Sequence, residues 1–304
     1  ASTPIIGSIF MTFGKMNPLR ITNYTYTSCL GAGRHANWEA IRAGQSGLKP
    51  CDFFQISDLR TWVGEVDGLD SALPSHWADF DCRNNRLAWL ALQQDGFFDA
   101  AKAAIARYGA ARVGVFIGTS TSGIHQTELA YFENRDPLPD WYQYATTHNV
   151  SSVATFIQQA LGAQGPMMAV STACSSSAKV FASAQRAITA GLCDAAVVGG
   201  VDSLCLTTLY GFHALQLVSP QKCQPFDRHR SGISIGEAGG FALLEKGTDS
   251  GMYLLGYGES GDAYHMSSPH PEGAGAQLAM TAALHKAGLS TADIDYINLH
   301  GTGT

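Results

Sequence analysis

The sequence predicts an α/β protein whose central strands are covered on both faces. Three observations carry this. Predominantly apolar runs recur at strand length, notably Arg112-Val-Gly-Val-Phe-Ile-Gly118, Pro166-Met-Met-Ala-Val-Ser-Thr-Ala173 and Ala195-Ala-Val-Val-Gly199. Continuous apolarity, as opposed to alternation, marks a strand buried on both sides. Helix-period stretches separate these runs, as in layered α/β folds. The 33 glycines in 304 residues favour tight turns and close backbone approaches over long bundled helices.

The elements follow in order. A strand starts at Leu19, turns at Gly31 and Gly33, and leads to a helix over Ala36 to Ala43. Arg86 to Gln94 and Phe98 to Tyr108 read as helices, and Arg112 to Gly118 as a buried strand. Thr119 to Thr147 is polar and aromatic, contains Pro137 and Pro139, and reads as a long loop of the kind that serves function or an interface. Pro166 to Ala173 is a strand. Ser175 to Ala190 is a helix with Val180, Ala184, Ala187 and Ile188 on one face and Gly191 as its stop. Strands are expected at Ala195 to Gly199, Phe241 to Leu244, Met252 to Leu255 and Ile294 to Leu299, and a helix at Gln277 to Ala287. Residues 1–15 precede a natural-looking start at Met16 and are expected to be an upstream or added segment.

Composition narrows the function. The chain is 45% hydrophobic and 14% charged, enough for a sizeable core and unlike a disordered protein. Net charge is −6 and no Lys/Arg run exists, which argues against nucleic-acid binding. No apolar stretch reaches the roughly 18–20 residues of a bilayer span, and the N-terminus lacks a signal-peptide pattern. A cytoplasmic location is expected. The seven cysteines, Cys29, Cys51, Cys82, Cys174, Cys193, Cys205 and Cys223, are scattered and form no C-x-x-C pair. A zinc site or a disulfide framework therefore has little support.

Two motifs are set aside. Gly256-Tyr-Gly-Glu-Ser-Gly261 matches G-x-G-x-x-G, but the residues after it, with Pro269 and Pro271, cannot open the helix that a pyrophosphate needs. Gly232-Ile-Ser-Ile-Gly236 matches G-x-S-x-G. A charged segment precedes it and a strand follows, the reverse of a nucleophile elbow, so a serine hydrolase is only a weak alternative.

Cys174 lies in Val170-Ser-Thr-Ala-Cys-Ser-Ser-Ser177, between a strand and a helix. A thiol there feels the positive end of the helix dipole, which favours thiolate, and free first-turn N–H groups can stabilise an oxyanion. Ser175 to Ser177 supply N-cap-like side chains. On placement alone, an activated nucleophile and a structural cysteine both stay open. His300, in His300-Gly-Thr-Gly-Thr304, follows the expected strand Ile294 to Leu299 and so also sits at a strand's C-terminal edge, where ligands of α/β sheets gather.

At these motifs the sequence resembles the β-ketoacyl synthase family of condensing enzymes, most closely the stand-alone elongating I/II class. Ala173 to Ser177 matches the family's Ala-Cys-Ser-Ser-Ser pattern. Further blocks match at Asp194 to Gly200, Pro225 to Gly232 with Gly236-Glu-Ala-Gly239, Asp262 to Pro269, and His300 to Thr304. The resemblance implies a thiolase-like five-layer αβαβα fold, with 16–250 as the N-terminal half and 251–304 as the start of the C-terminal half. It implies Cys174 as the acylated nucleophile and His300 as the first catalytic histidine. Thr302 and Thr304 resemble the pair that binds the phosphopantetheine arm, and Phe212 falls at the acyl pocket, although plain core packing stays open for it. Asp227 and Arg230 resemble a salt-bridged structural loop.

The sequence stops directly after the first histidine motif, where the family continues with a Lys, a second His and a Gly-Phe-Gly-Gly turn. The C-terminal half is therefore expected to be incomplete, and whether the chain alone is active stays open. The implied reaction is decarboxylative Claisen condensation of an acyl thioester with malonyl-acyl carrier protein to 3-oxoacyl-acyl carrier protein, in fatty acid or specialised polyketide or polyene synthesis. It implies no metal or redox cofactor, acyl carrier protein as partner, and a homodimer or a heterodimer with a related synthase. Two alternatives stand beside it: a chain-length-factor-like partner, against which Cys174 argues, and a non-catalytic fragment, which stays open.

Overall fold

The computed structural model describes residues 14–56, 58–265 and 268–304. In chain order the elements are β1 (Leu19–Ser28), β2 (Gly31–Ala32), α1 (Gly33–Arg42), β3 (Leu48–Pro50), β4 (Trp62–Gly64), α2 (Arg83–Leu92), α3 (Phe97–Tyr108), β5 (Val113–Gly118), α4 (Ile124–Glu133), α5 (Ser152–Leu161), β6 (Met167–Val170), α6 (Ser176–Thr189), β7 (Ala195–Asp202), α7 (Leu206–Ala214), β8 (Ile235–Gly236), β9 (Ala238–Glu245), β10 (Met252–Leu254) and α8 (Ala274–Ala287). The chain divides into two compact units. The larger is Thr22–Glu245 with His300–Thr304; the smaller is the chain up to Ile21 with Lys246–Leu299.

In the larger unit the main sheet runs β1-β9-β7-β5-β6. β5 pairs parallel with both β6 and β7, and β7 pairs antiparallel with β9. Every residue of β5 is buried, as its continuous apolar sequence requires. Alternate side chains face opposite ways along a strand. Val115, Ile117, Val197, Phe241 and Leu243 join one core with Leu87, Ala91 and Leu92 of α2, Phe97 and Ala101 of α3, and Val153, Phe156 and Ile157 of α5. The other face of β5 and β7 receives α6, which buries Val180, Ala184, Ala187 and Ile188. A small second sheet, β3-β4-β8, lies in the same unit. It is bound to the rest by Glu237, fully buried at its side chain, whose carboxylate accepts from Val66 N–H (2.9 Å), Leu204 N–H (3.0 Å) and the Arg83 guanidinium (2.5 and 2.9 Å).

In the smaller unit β10 pairs antiparallel with the start of β1, in the register Leu19 to Leu254. Gly256 and Gly258 run against α8: a Cβ on either would overlap the carbonyl of Ala283 or Ala279. These glycines of the G-x-G-x-x-G match therefore serve helix packing, and no helix opens at Asp262. Among the described residues no helix is long and apolar enough to cross a membrane.

The structure corrects several expectations. The long loop expected at Thr119 to Thr147 contains α4, which buries only Ala130 and leaves Leu129, Tyr131 and Phe132 exposed, so it carries no apolar stripe to read. Helices α5 and α7 were not anticipated either. The strand expected at Ile294 to Leu299 is absent: Ile294, Tyr296, Ile297 and Leu299 are exposed, and among the described residues the segment finds no ladder partner. Strand propensity without a neighbour's hydrogen bonds makes no strand. Of the segment 1–15, residues 1–13 lie outside the described residues.

Candidate active site

β6 ends at Val170, and three residues later the backbone turns sharply. Ala173 sits at φ +52°, a left-handed conformation uncommon without glycine. Hydrogen bonds hold it there: the Ala173 carbonyl accepts from the hydroxyls of Ser120 (3.0 Å) and Ser176 (2.7 Å) and from Ser176 N–H (3.1 Å). Ser176 Oγ also accepts from Thr172 N–H (2.8 Å), and Ser175 Oγ donates to Thr172 O (2.9 Å). Of the serines expected as N-caps, Ser175 and Ser176 thus turn back onto the elbow, and Ser175 makes no side-chain cap bond to the first turn of α6. Cys174 is exposed at the head of that helix.

Two glycines let α6 come this close to the sheet. A Cβ at Gly118 would overlap the Ser176 backbone, and one at Gly200 would overlap the Ser177 side chain. Gly118→Ala is therefore expected to push the start of α6 outward. It should cost about 1–3 kcal/mol in stability and slow acyl transfer about 100-fold through displacement of the thiol. Thermal melts and single-turnover acylation check both, and a variant matching wild type in both would contradict this packing.

Beside the elbow, the β5–α4 connection is fixed by Asp202 at the end of β7. Its Oδ1 accepts from Ser120 N–H (2.6 Å), Thr121 N–H (3.0 Å), Thr121 Oγ1 (3.1 Å) and Thr119 Oγ1 (3.2 Å). The sequence reading missed both Ser120 and Asp202. The available signal was the hydroxyl run Thr119-Ser-Thr-Ser122 directly after a buried strand.

Four of the six other thiols are poor rivals to Cys174. Burial pushes the Cys82 thiol up to about 12 and raises Cys29 and Cys205 as well; Cys193 is fully buried. A thiol held protonated away from solvent is a weak nucleophile.

His300 is exposed at the start of the terminal loop. The hydroxyls of Thr302 and Thr304 meet at 2.7 Å. The loop is tied down by Gly232 N–H to Gly303 O (3.1 Å) and by Arg230 Nε–H to Thr304 O (3.0 Å). Gly303, at φ +81°, passes so close to the Gly232 carbonyl that a Cβ would stand 2.7 Å from it. A groove of about 390 Å³ opens here, lined in part by Arg228, Arg230, Ser231 and Thr304. The expected Asp227–Arg230 salt bridge is replaced by a bond from Arg230 to the Asp227 main-chain carbonyl (3.0 Å), while Asp227 Oδ1 caps His229 N–H (2.7 Å). Ser234 of the G-x-S-x-G match accepts from Cys223 N–H (3.1 Å) on a short strand edge and forms no elbow.

The structure brings Thr302 and Thr304 together, but no hydrogen bond among the described residues joins Cys174 to His300. Phe212 is half-buried on α7. Glu128 of α4, also unforeseen, accepts from the first amides of α7, Leu206 N–H (2.9 Å) and Thr207 N–H (2.7 Å). Burial alone would raise the Glu128 carboxyl; hydrogen bonds from His125, Leu206 and Thr207 outweigh it and hold the group below its ordinary value.

The family model "Beta-ketoacyl synthase, N-terminal domain" matches residues 16–250, and "Beta-ketoacyl synthase, C-terminal domain" matches 252–304. This chain belongs to the β-ketoacyl synthase family. It is similar to 3-oxoacyl-[acyl-carrier-protein] synthase 2 of Vibrio cholerae, 31% identical over 93% of this chain and 73% of that protein. Among solved structures it is similar to a ketosynthase in complex with its chain length factor from Xenorhabdus doucetiae. There the identity is 38%, the TM-score 0.87, and the coverage 95% of this chain and 72% of that one. A second is the ishigamide ketosynthase/chain length factor, at 25% identity and TM-score 0.81, covering 95% of this chain and 74% of that one. The fold is the thiolase-like α/β fold of ketosynthases, and the chain is a condensing enzyme of the acyltransferase type.

Proposed function

We propose that this β-ketoacyl synthase condenses an acyl thioester with malonyl-acyl carrier protein, using Cys174 as the acyl acceptor and His300 in the carbon–carbon bond-forming half. The observation that carries the reading is the elbow itself: an exposed thiol, held by a hydroxyl-laced turn at a helix start, in a chain whose buried thiols are unsuited to attack.

In the first half-reaction the Cys174 sulfur attacks the thioester carbonyl. The carbonyl oxygen becomes an oxyanion that backbone N–H groups stabilise, and collapse expels the carrier's phosphopantetheine thiol. In the second, malonyl carrier protein loses CO₂, and its electron pair becomes an enolate. His300 donates a hydrogen bond to that enolate; the enolate carbon attacks the Cys174 thioester, and the cysteine sulfur leaves. Thr302 and Thr304, already paired, hydrogen-bond the phosphopantetheine arm. The sequence is redox-neutral, and its substrates travel on phosphopantetheine, so no metal or redox group is called for. Acyl carrier protein is the proposed partner. A dimer with a related synthase is the proposed assembly, on the likeness to ketosynthase/chain length factor complexes. Residues 16–250 form the N-terminal half, and 251–304 belong to the C-terminal half.

His300→Ala is expected to keep acyl transfer to Cys174 while losing most decarboxylation and condensation. Single-turnover assays separate these steps, and unchanged malonyl decarboxylation would remove His300 from the chemistry. Phe212→Ala is expected to shift the acyl chain-length profile more than the rate on short acyl groups. A variant with a lowered melting temperature and an unchanged profile would reassign Phe212 to packing.

A further inference from the structure

We propose that Ser120 is a positioning residue for acyl transfer: its hydroxyl, with that of Ser176, locks the Ala173 carbonyl and so aims the Cys174 N–H at the oxyanion. The inference rests on Cys174 being the acyl acceptor. In a trans peptide the carbonyl and the following N–H are fixed antiparallel in one plane. Whatever holds the Ala173 carbonyl therefore sets the direction of the Cys174 N–H. That carbonyl has two hydroxyl donors, Ser120 at 3.0 Å and Ser176 at 2.7 Å, and belongs to a residue at φ +52°. A conformation of this kind persists only where its surroundings over-determine it. Among the described residues the Cys174 N–H donates to no acceptor, so it is available to a ligand.

The two serines differ in what else they do. Ser176 is buried and also accepts from Thr172 N–H, so it is part of the turn's own architecture. Ser120 comes from a different element and is exposed, and among the described residues its hydroxyl hydrogen-bonds only the Ala173 carbonyl and Ser176 Oγ, the latter at 3.4 Å. Its backbone is pinned by Asp202 through Ser120 N–H at 2.6 Å. Asp202 thus fixes Ser120, and Ser120 fixes the peptide before the nucleophile. Little fold stability depends on the hydroxyl.

The test compares two reactions at the same sulfur. Acylation by the hexanoyl thioester of N-acetylcysteamine passes through an oxyanion; alkylation by iodoacetamide does not. Ser120→Ala is expected to slow acylation about ten-fold, by misaiming one oxyanion donor, with KM, alkylation rate across pH and melting temperature unchanged. Equal slowing of both reactions, or of neither, overturns the proposal. Peptide mapping of the wild-type protein separates the underlying reading. A hexanoyl group found elsewhere than on Ala173–Lys179 removes Cys174 as acceptor. A group on that peptide with no slowing in Ser120→Ala removes only the positioning role.

Discussion

Cys174→Ala is expected to lower the condensation rate by at least about 10⁴-fold, as loss of a covalent nucleophile does, while leaving the fold intact. Cys174 is exposed, and among the described residues the elbow's hydrogen bonds run through Thr172, Ala173, Ser120, Ser175 and Ser176, none through its sulfur. The variant should therefore melt within about 0.5 kcal/mol of wild type, as exposed substitutions usually do. Steady-state condensation of acyl and malonyl carrier protein thioesters measures the first effect and thermal unfolding the second. Near-normal condensation would show that the chemistry lies on another residue.

Glu237→Ala should act in the opposite way, on stability first. The Glu237 side chain is fully buried and receives two guanidinium and two backbone N–H donors. Those donors belong to α2, the segment after β4 and the segment after β7, so one carboxylate binds three parts of the larger unit. Its removal strands the largely buried Arg83 cation and two amides. Breaking one side of such a pair costs about 3–5 kcal/mol, which lowers the melting temperature by roughly 10 °C in a unit of this size. A loss below about 1 kcal/mol would show that water or another group takes over the role.

The parts of the fold legible in the sequence were those with local causes. β5 and β7 announce themselves by unbroken apolar runs, and α6 by the switch from strand to helical period at Ala173–Ser176. That switch is also what singled out Cys174. What stayed hidden depends on distant partners. Asp202 reaches back 82 residues to Ser120, and Arg230 reaches forward 74 residues to Thr304. Neither pairing leaves a mark in either segment's own pattern. The reverse error has the same origin. Ile294 to Leu299 has a strand's apolar content, but its ladder partner is absent among the described residues, and propensity alone could not reveal that. α4 escaped notice because it buries a single alanine, leaving no stripe to detect.

The central claim is that Cys174 carries the acyl group, and mass mapping of the trapped acyl-enzyme tests it most directly. After incubation with an acyl carrier protein thioester and proteolysis, one acyl mass is expected on the peptide containing Ala173–Lys179. The same mass on a peptide containing Cys193 or Cys205, or on none, would contradict it.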